Sequence, residues 1–327
     1  MSATHEHVSS LLGAWALGAC SDEETQAVID HLAGCPACAE DSLMLGGTAE
    51  LLGGVPPMPT LREQTLDSAR ARRRPAPSAP PYAAPYAAQV SMLDALLAEV
   101  SGETWSTNVI YDWSVQDVVA HLSATDSVVA DQLDDDTNGP PDVNARTAAT
   151  LSVERTREPQ QTRDAWREQA EALCARLDED GTRSVSLQLA MPVRSAIVAR
   201  AFETWVHSRD IALATGLHLP SPLPTHLHAI ASLGVHVLPD ALAMREGRPV
   251  DGETVRVDLS GPGGGSWDLP LGPDAPGVPT VTLSLDATDF CLLAADRIPP
   301  DEVQADVAGD VPLGHRLLAA ASTFAVP

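Results

Sequence analysis

Lysine is absent from this sequence, so all 20 basic residues are arginines, and they face 45 acidic ones for a formal net charge of −25. Without lysine there is no Gly-Lys-Ser/Thr phosphate loop, and the run Gly261-Pro-Gly-Gly-Gly265 reads as a hairpin turn between strand-like segments. The shortage of positive charge argues against nucleic acid or anionic lipid as a direct partner, because neutralising phosphates needs a cationic surface. It favours a partner that is itself basic. Cysteine is scarce as well. Five in 327 residues are too few for a disulfide framework, yet three of the five fall within the first 38. Thiols clustered this way point to metal or redox chemistry. Apolar runs are short: none approaches the ~20 residues of a membrane-spanning helix. The stretch Leu11 to Cys20 is about half that length and has no basic region before it, so it does not read as a signal peptide. The expected location is the cytoplasm, with no membrane partner.

Composition divides what is present into parts. Residues 1–61 carry eight carboxylates and no arginine, and then Arg62, Arg70, Arg72, Arg73 and Arg74 arrive together. Pro75, Pro77, Pro80, Pro81 and Pro85 follow, which predicts an extended, semi-rigid linker over 75–88. Residues 89–216 read as helices with turn signals such as Asn138-Gly-Pro-Pro141 between them. From 217 to 327 a helical stretch to Arg245 precedes two alternating segments, Val255-Arg-Val-Asp-Leu259 and Val281-Thr-Leu-Ser-Leu285, that read as strands, with helical periodicity around 287–297 and 313–324. The expected fold class is multidomain and mainly α. It comprises a small helical unit over 1–74, the linker, a helical bundle over 89–216 and a C-terminal α/β domain over 217–327.

The first chemical constellation is His31-Leu-Ala-Gly-Cys35-Pro-Ala-Cys38. A Cys-x-x-Cys pair sets two thiolates on one short turn, and a histidine one helical turn earlier reaches the same tetrahedral ion. Zinc needs a fourth ligand, for which His5, His7 and Cys20 are the upstream candidates. Ser21-Asp-Glu-Glu24 reads as a helix start between them. The arrangement resembles the zinc-binding domain at the N-terminus of many bacterial anti-sigma factors, over roughly residues 1–75. That resemblance implies zinc held by His5, His31, Cys35 and Cys38, with His7 as the nearest competitor of His5. It further implies an extracytoplasmic-function sigma factor as partner, clamped by an additional helix over Leu61 to Arg74. Some relatives release the ion and the partner on oxidation, and Cys20 would be an extra thiol for such a switch.

The second constellation is spread along the chain. Ser114 and Asp117 are spaced as a capping box before a helix whose face Val115, Val118, Val119, Leu122 is apolar, with His121 beside it. Much later, Glu203 and His207 stand four apart on a helix running to the cap glycine Gly216, so they project from one face. Two imidazoles and one carboxylate leave coordination positions open, the pattern of a catalytic rather than a closed metal site. The strings Trp-Ser-Val-Gln-Asp117-Val-Val-Ala-His121 and Glu203-Thr-Trp-Val-His207 resemble the metal motifs of the mycothiol-dependent maleylpyruvate isomerase family, four-helix bundles of the DinB-like superfamily. The resemblance spans about 89–216 and continues into the C-terminal part through Ala287-Thr-Asp-Phe290, Ala294-Ala-Asp-Arg297 and Ala308-Gly-Asp310. It implies a divalent metal, zinc foremost, on His121, Glu203 and His207, and mycothiol or a similar low-molecular-weight thiol as co-substrate. No further residue is assigned a catalytic role.

Two function classes follow. One is a regulator: a zinc-binding anti-sigma factor whose bundle is a sensor or accessory activity. The other is a mycothiol-dependent, metal-dependent isomerase or thiol transferase whose N-terminal zinc module is structural. Other residues of interest have plainer readings: His226, His228 and His236 as structural or surface groups, Cys174 and Cys291 as buried small hydrophobes, Asp134-Asp-Asp136 as a solvated loop, and Trp113 and Trp205 as core packing or pocket wall.

Overall fold

The fold comes from a computed structural model that describes residues 4–51, 73–134, 142–187 and 189–322. The chain divides into two compact units, residues 1–72 and 73–327. In the first, α1 (His5–Ala16), α2 (Asp22–Leu32) and α3 (Pro36–Leu51) fold on one another. Helix α2 begins where the sequence expects it: the Ser21 hydroxyl and the Glu24 backbone and carboxylate form a reciprocal capping box. The core beneath is small. Val8, Leu12, Val28 and Cys38 are fully buried, with Leu11, Trp15, Leu32 and Cys35 packed around them. The expected clamp helix over 61–74 lies outside the described residues up to Arg72. Arg74 itself belongs to the second unit, where its guanidinium bridges Asp94 and Asp164.

The second unit joins a helical bundle to an α/β layer. Helices α4 (Ala84–Leu97), α5 (Val115–Leu133), α7 (Pro159–Ala175) and α8 (Val193–Thr215) form the bundle, and α6 (Val143–Glu154) lies along α5. The extended linker expected over 75–88 is corrected in its second half. Pro81–Ala83 is a 3₁₀ turn and α4 starts at Ala84, with Tyr86, Ala87 and Val90 buried in the bundle. Pro81 and Pro85 occupy first-turn positions, where a missing N–H costs nothing because it would have no helical partner. Helix α8 ends on Gly216 in the left-handed region at φ 70°.

At the head of α5, Asp117 receives hydrogen bonds from the Ser114 backbone and hydroxyl, both at 3.0 Å, and from Arg155 at 2.8 and 3.2 Å. Burial would raise this carboxyl, but the bonds from Arg155 and Ser114 hold it below its ordinary value. A depressed pKa means its contribution is complete above the unfolded value, about 4, and is lost as pH falls through the folded value. Asp117→Ala is therefore expected to lower stability by about 1–2 kcal/mol at pH 7. In urea unfolding, the gap between the variant and the parent should narrow on acidification to about pH 3.

Two short antiparallel pairs, β1 (Asn108–Ile110) with β2 (Trp113–Ser114) and β3 (Ser184–Ser186) with β4 (Ala190–Pro192), precede the C-terminal part, where β5 (Glu253–Ser260), β6 (Gly265–Leu271), β7 (Val281–Asp286) and β8 (Ala305–Gly309) form a sheet in the order β6-β5-β7-β8. Only β5 and β7 run parallel. The alternating residues Val255, Val257, Leu259, Val281, Leu283 and Leu285 all face inward, as the period of two predicted. Helices α9 (Pro224–Glu246), α10 (Ala287–Ala294) and α11 (Val311–Ala321) pack on the sheet or on one another. The Gly261–Gly265 segment is the turn of the β5–β6 hairpin. The reading that no apolar stretch reaches membrane-spanning length is corrected by α9, which does so by length and composition alone. Its face Leu227, Ile230, Val235, Leu238 and Leu242 is buried in the unit's core, so packing between layers accounts for the composition.

Candidate functional sites

In the first unit, His5, His31, Cys35 and Cys38 come together, one ligand atom from each lying within 4.8 Å of the others. The His5 Nδ1 is 3.5 Å from the Cys35 sulfur and 3.4 Å from the Cys38 sulfur. Tetrahedral zinc with Zn–N near 2.0 Å and Zn–S near 2.3 Å requires N···S edges of about 3.5 Å. The His31 Nε2 is buried without a hydrogen-bond partner, which a bound cation resolves. Of the alternative fourth positions, the Cys20 thiol lies against the Leu11 carbonyl at 3.9 Å, and His7 stands outside the cluster. Burial and the neighbouring Cys35 push the Cys38 thiol up, so ion binding here must release a proton.

In the second unit, His121 on α5 and Glu203 and His207 on α8 converge, again within 4.8 Å. His121 Nε2 is 3.4 Å from Glu203 Oε2, and the two imidazoles stand nearly perpendicular with ring centres 5.2 Å apart. Each Nδ1 has a polar group behind it, although His207 Nδ1 makes no aligned hydrogen bond. His121 Nδ1 faces the Thr147 hydroxyl at 3.3 Å, and His207 Nδ1 faces the Asp210 carboxylate at 3.2 Å. That leaves the Nε2 atoms for an ion, the usual division of labour in histidine metal sites. The donor set and its spacing fit a divalent metal. Asp210→Ala or Thr147→Val is expected to weaken metal affinity about 10–100-fold without removing a ligand. Isothermal titration of the metal-stripped chain checks it.

The sequence reading missed what supports Glu203. Arg200, one turn earlier on α8, is fully buried and bonds Asp126 at 2.7 Å and Glu203 at 3.0 Å; Asp126 in turn accepts from the Tyr86 hydroxyl at 2.6 Å. Burial would raise the Glu203 carboxyl, but the Arg200 guanidinium, helped by His121 and His207, holds it well below the usual carboxylate range. Burial lowers the His121 pKa against the pull of Glu203, so the imidazole is neutral and ready to bind. The available signal was an arginine within the apolar stretch Ala196–Phe202, three residues before a ligand.

A cavity of about 200 Å³ opens on this triad. Trp113 lines it, set beside His121 at 4.9 Å by the short β1 (Asn108–Ile110) and β2 (Trp113–Ser114) hairpin. Trp205, by contrast, is buried in the core. Arg297 lines the cavity, but its guanidinium is taken up by Asp210 at 3.0 and 2.7 Å and by the Ala295 carbonyl. Of the three histidines on α9, His228 holds the Gly263 and Gly264 carbonyls and stacks on Trp267, His236 bonds within its own helix, and the buried Nδ1 of His226 has no hydrogen-bond partner. Cys174 and Cys291 are buried, and burial pushes both thiols up and out of reactive range.

Residues 6–39 match the family described as a putative zinc-finger, and residues 86–212 match the mycothiol maleylpyruvate isomerase N-terminal domain. An uncharacterized protein of Mycobacterium tuberculosis, found in two strains, is 28% identical over 260 residues, covering 76% of this chain and 96% of its own length. A solved mycothiol-dependent maleylpyruvate isomerase is 16% identical with a TM-score of 0.48, over 69% of this chain and 91% of its own. A mutant of that enzyme gives 15% identity and the same TM-score.

Proposed function

From a chain that joins a zinc-finger-like segment to an isomerase-like bundle, we infer a cytoplasmic anti-sigma factor that sequesters an extracytoplasmic-function sigma factor. The observation that carries this reading is the His5, His31, Cys35, Cys38 cluster joining α1, α2 and α3 of the first unit. Two further features support it. The same unit exposes Leu17, Ile29, Leu43 and Leu45, apolar surface suited to a protein partner. The chain's charge of −25 suits a partner that binds DNA through basic surfaces. Zinc here would be structural, since four protein ligands fill the tetrahedron. The bundle then supplies the input or an accessory activity. Tagged full-length chain purified from its native host, reducing and zinc-replete, should carry a stoichiometric sigma factor. Cys35→Ala should lose that partner and His207→Ala should keep it. Zinc-loaded protein without any sigma factor would overturn the reading.

The cavity at the triad favours a second reading, a mycothiol-dependent isomerase or thiol transferase. A divalent metal bound there would lower the pKa of a coordinated thiol and supply thiolate near neutral pH. His121, Glu203 and His207 would hold that metal, while Asp210 and Thr147 keep the imidazoles aimed. Turnover of an electrophile with thiol should then vanish in His207→Ala and survive Cys35→Ala.

A further inference from the structure

One guanidinium at the bundle cavity has a donor to spare. Arg200 lines the cavity and is 2% exposed. Its Nε bonds Asp126 at 2.7 Å and its Nη1 bonds Glu203 at 3.0 Å, while its Nη2 is buried without a hydrogen-bond partner. A charged donor left unpaired in the interior is costly, so an acceptor entering the cavity beside it is favoured. The neighbouring His121, Glu203 and His207 would offer the same entering group an ion with open coordination positions.

Charge sets how much this end of the cavity can take. Asp126, Glu203 and Asp210 against Arg200 and Arg297 leave the cluster one negative charge, counting the histidines as neutral. A divalent ion brings it to one positive. A single carboxylate then neutralises it, and has two oxygens to share between the ion and the spare N–H.

Much of the remaining wall is apolar and built on one helix face. Ile230, Leu233, Gly234 and Val237 recur at the three- and four-residue spacing of α9, and Phe290 of α10 lies against Gly234. Gly234 has a reason to be glycine: a Cβ there would stand 3.0 Å from Cε1 of Phe290. An enclosed apolar cavity of about 150 Å³ already admits benzene, so about 200 Å³ has room for a short alkyl chain or one ring.

We propose that this cavity binds an amphipathic monocarboxylate. Its head is received by Arg200 and the ion of the triad, and its apolar tail of about five to nine carbons lies along α9 and Phe290. The proposal deepens the reading of the triad as a metal site and rests on it.

The test is isothermal titration of the full-length, zinc-loaded chain with butanoate, hexanoate and octanoate, with zinc counted in every sample. One-site binding is expected, tightening about two- to fourfold for each added methylene as the tail is buried. Octanamide, which has the same tail and no charge, should bind about tenfold more weakly than octanoate, or worse. Leu233→Asp puts a charge on the apolar wall and should weaken octanoate by about tenfold, flattening the rise from butanoate to octanoate. Equal affinities for butanoate and octanoate in the parent would overturn the apolar tail. Equal affinities for octanoate and octanamide would overturn the carboxylate head. The bundle ion is counted as the zinc lost in His207→Ala. A parent chain that holds this ion yet binds none of the acids defeats the proposal and leaves the metal-site reading standing. One that binds octanoate as expected without the ion keeps the amphipathic pocket, with Arg200 alone at the head, and defeats the metal-site reading.

Discussion

Cys38→Ser in the full-length chain is expected to unfold α1, α2 and α3 while the second unit stays folded. The reason is the size of the core those helices share. Among the described residues, four fully buried and four partly buried side chains hold it, and two of these eight are the proposed zinc thiols themselves. A core this small cannot offset the conformational entropy of ordering its chain, whereas structural zinc contributes about 10–16 kcal/mol in comparable minimal domains. Losing one of four ligands removes most of that contribution. Limited proteolysis should cut the variant rapidly within residues 4–51 and leave a resistant fragment beginning near Arg73. Chelation of the parent protein should give the same pattern. A variant as resistant as the parent would mean that packing alone sustains the unit.

Arg200→Met should be the most damaging single change in the bundle. Arg200 is 2% exposed and Asp126 not at all, and the arginine is also the guanidinium beside Glu203. Removing it leaves Asp126 buried without its counter-charge, a loss of about 3–5 kcal/mol, and takes the cation from beside the partly exposed Glu203. The effect should extend to function, because Glu203 then protonates more readily and loses the anchor that holds it between the histidines. Adding Asp126→Leu should restore part of the stability, since removing both partners of a buried pair costs less than removing one. It should not restore metal affinity. Denaturant midpoints for the two single variants and the double variant separate these contributions. Arg200→Lys is no rescue, because an ammonium cannot serve two carboxylates with guanidinium geometry.

What could be read from the sequence was local chemistry with a fixed spacing. The capping boxes at Ser21/Glu24 and Ser114/Asp117 are present, because a hydroxyl and a carboxylate three residues apart satisfy the same orphan N–H groups wherever they occur. The pairs Cys35/Cys38 and Glu203/His207 point the same way for the same reason: turn and helix periodicity put them on one side. Alternation in Val255–Leu259 and Val281–Leu285 gave the strands, since a half-buried sheet imposes a period of two. Long-range burial was not legible. Arg200 next to Glu203 looks like an exposed ion pair at i, i+3, and only the proximity of α4 and α5 makes it the centre of a Tyr86–Asp126–Arg200–Glu203 chain. Helix α8 is buried on nearly all sides, so no polar face marked its orientation. The prolines misled for a positional reason: Pro81 and Pro85 stand at the first turns of helices, where proline is welcome, and not in a linker.

The proposals together place two independent metal sites in one chain, and metal stoichiometry addresses that directly. Full-length protein purified in zinc, with metal counted by inductively coupled plasma mass spectrometry, should hold two ions per chain. Cys38→Ala and His207→Ala should each hold one, and the combined variant none. A parent chain with a single ion, or an unchanged count in either single variant, would contradict the account.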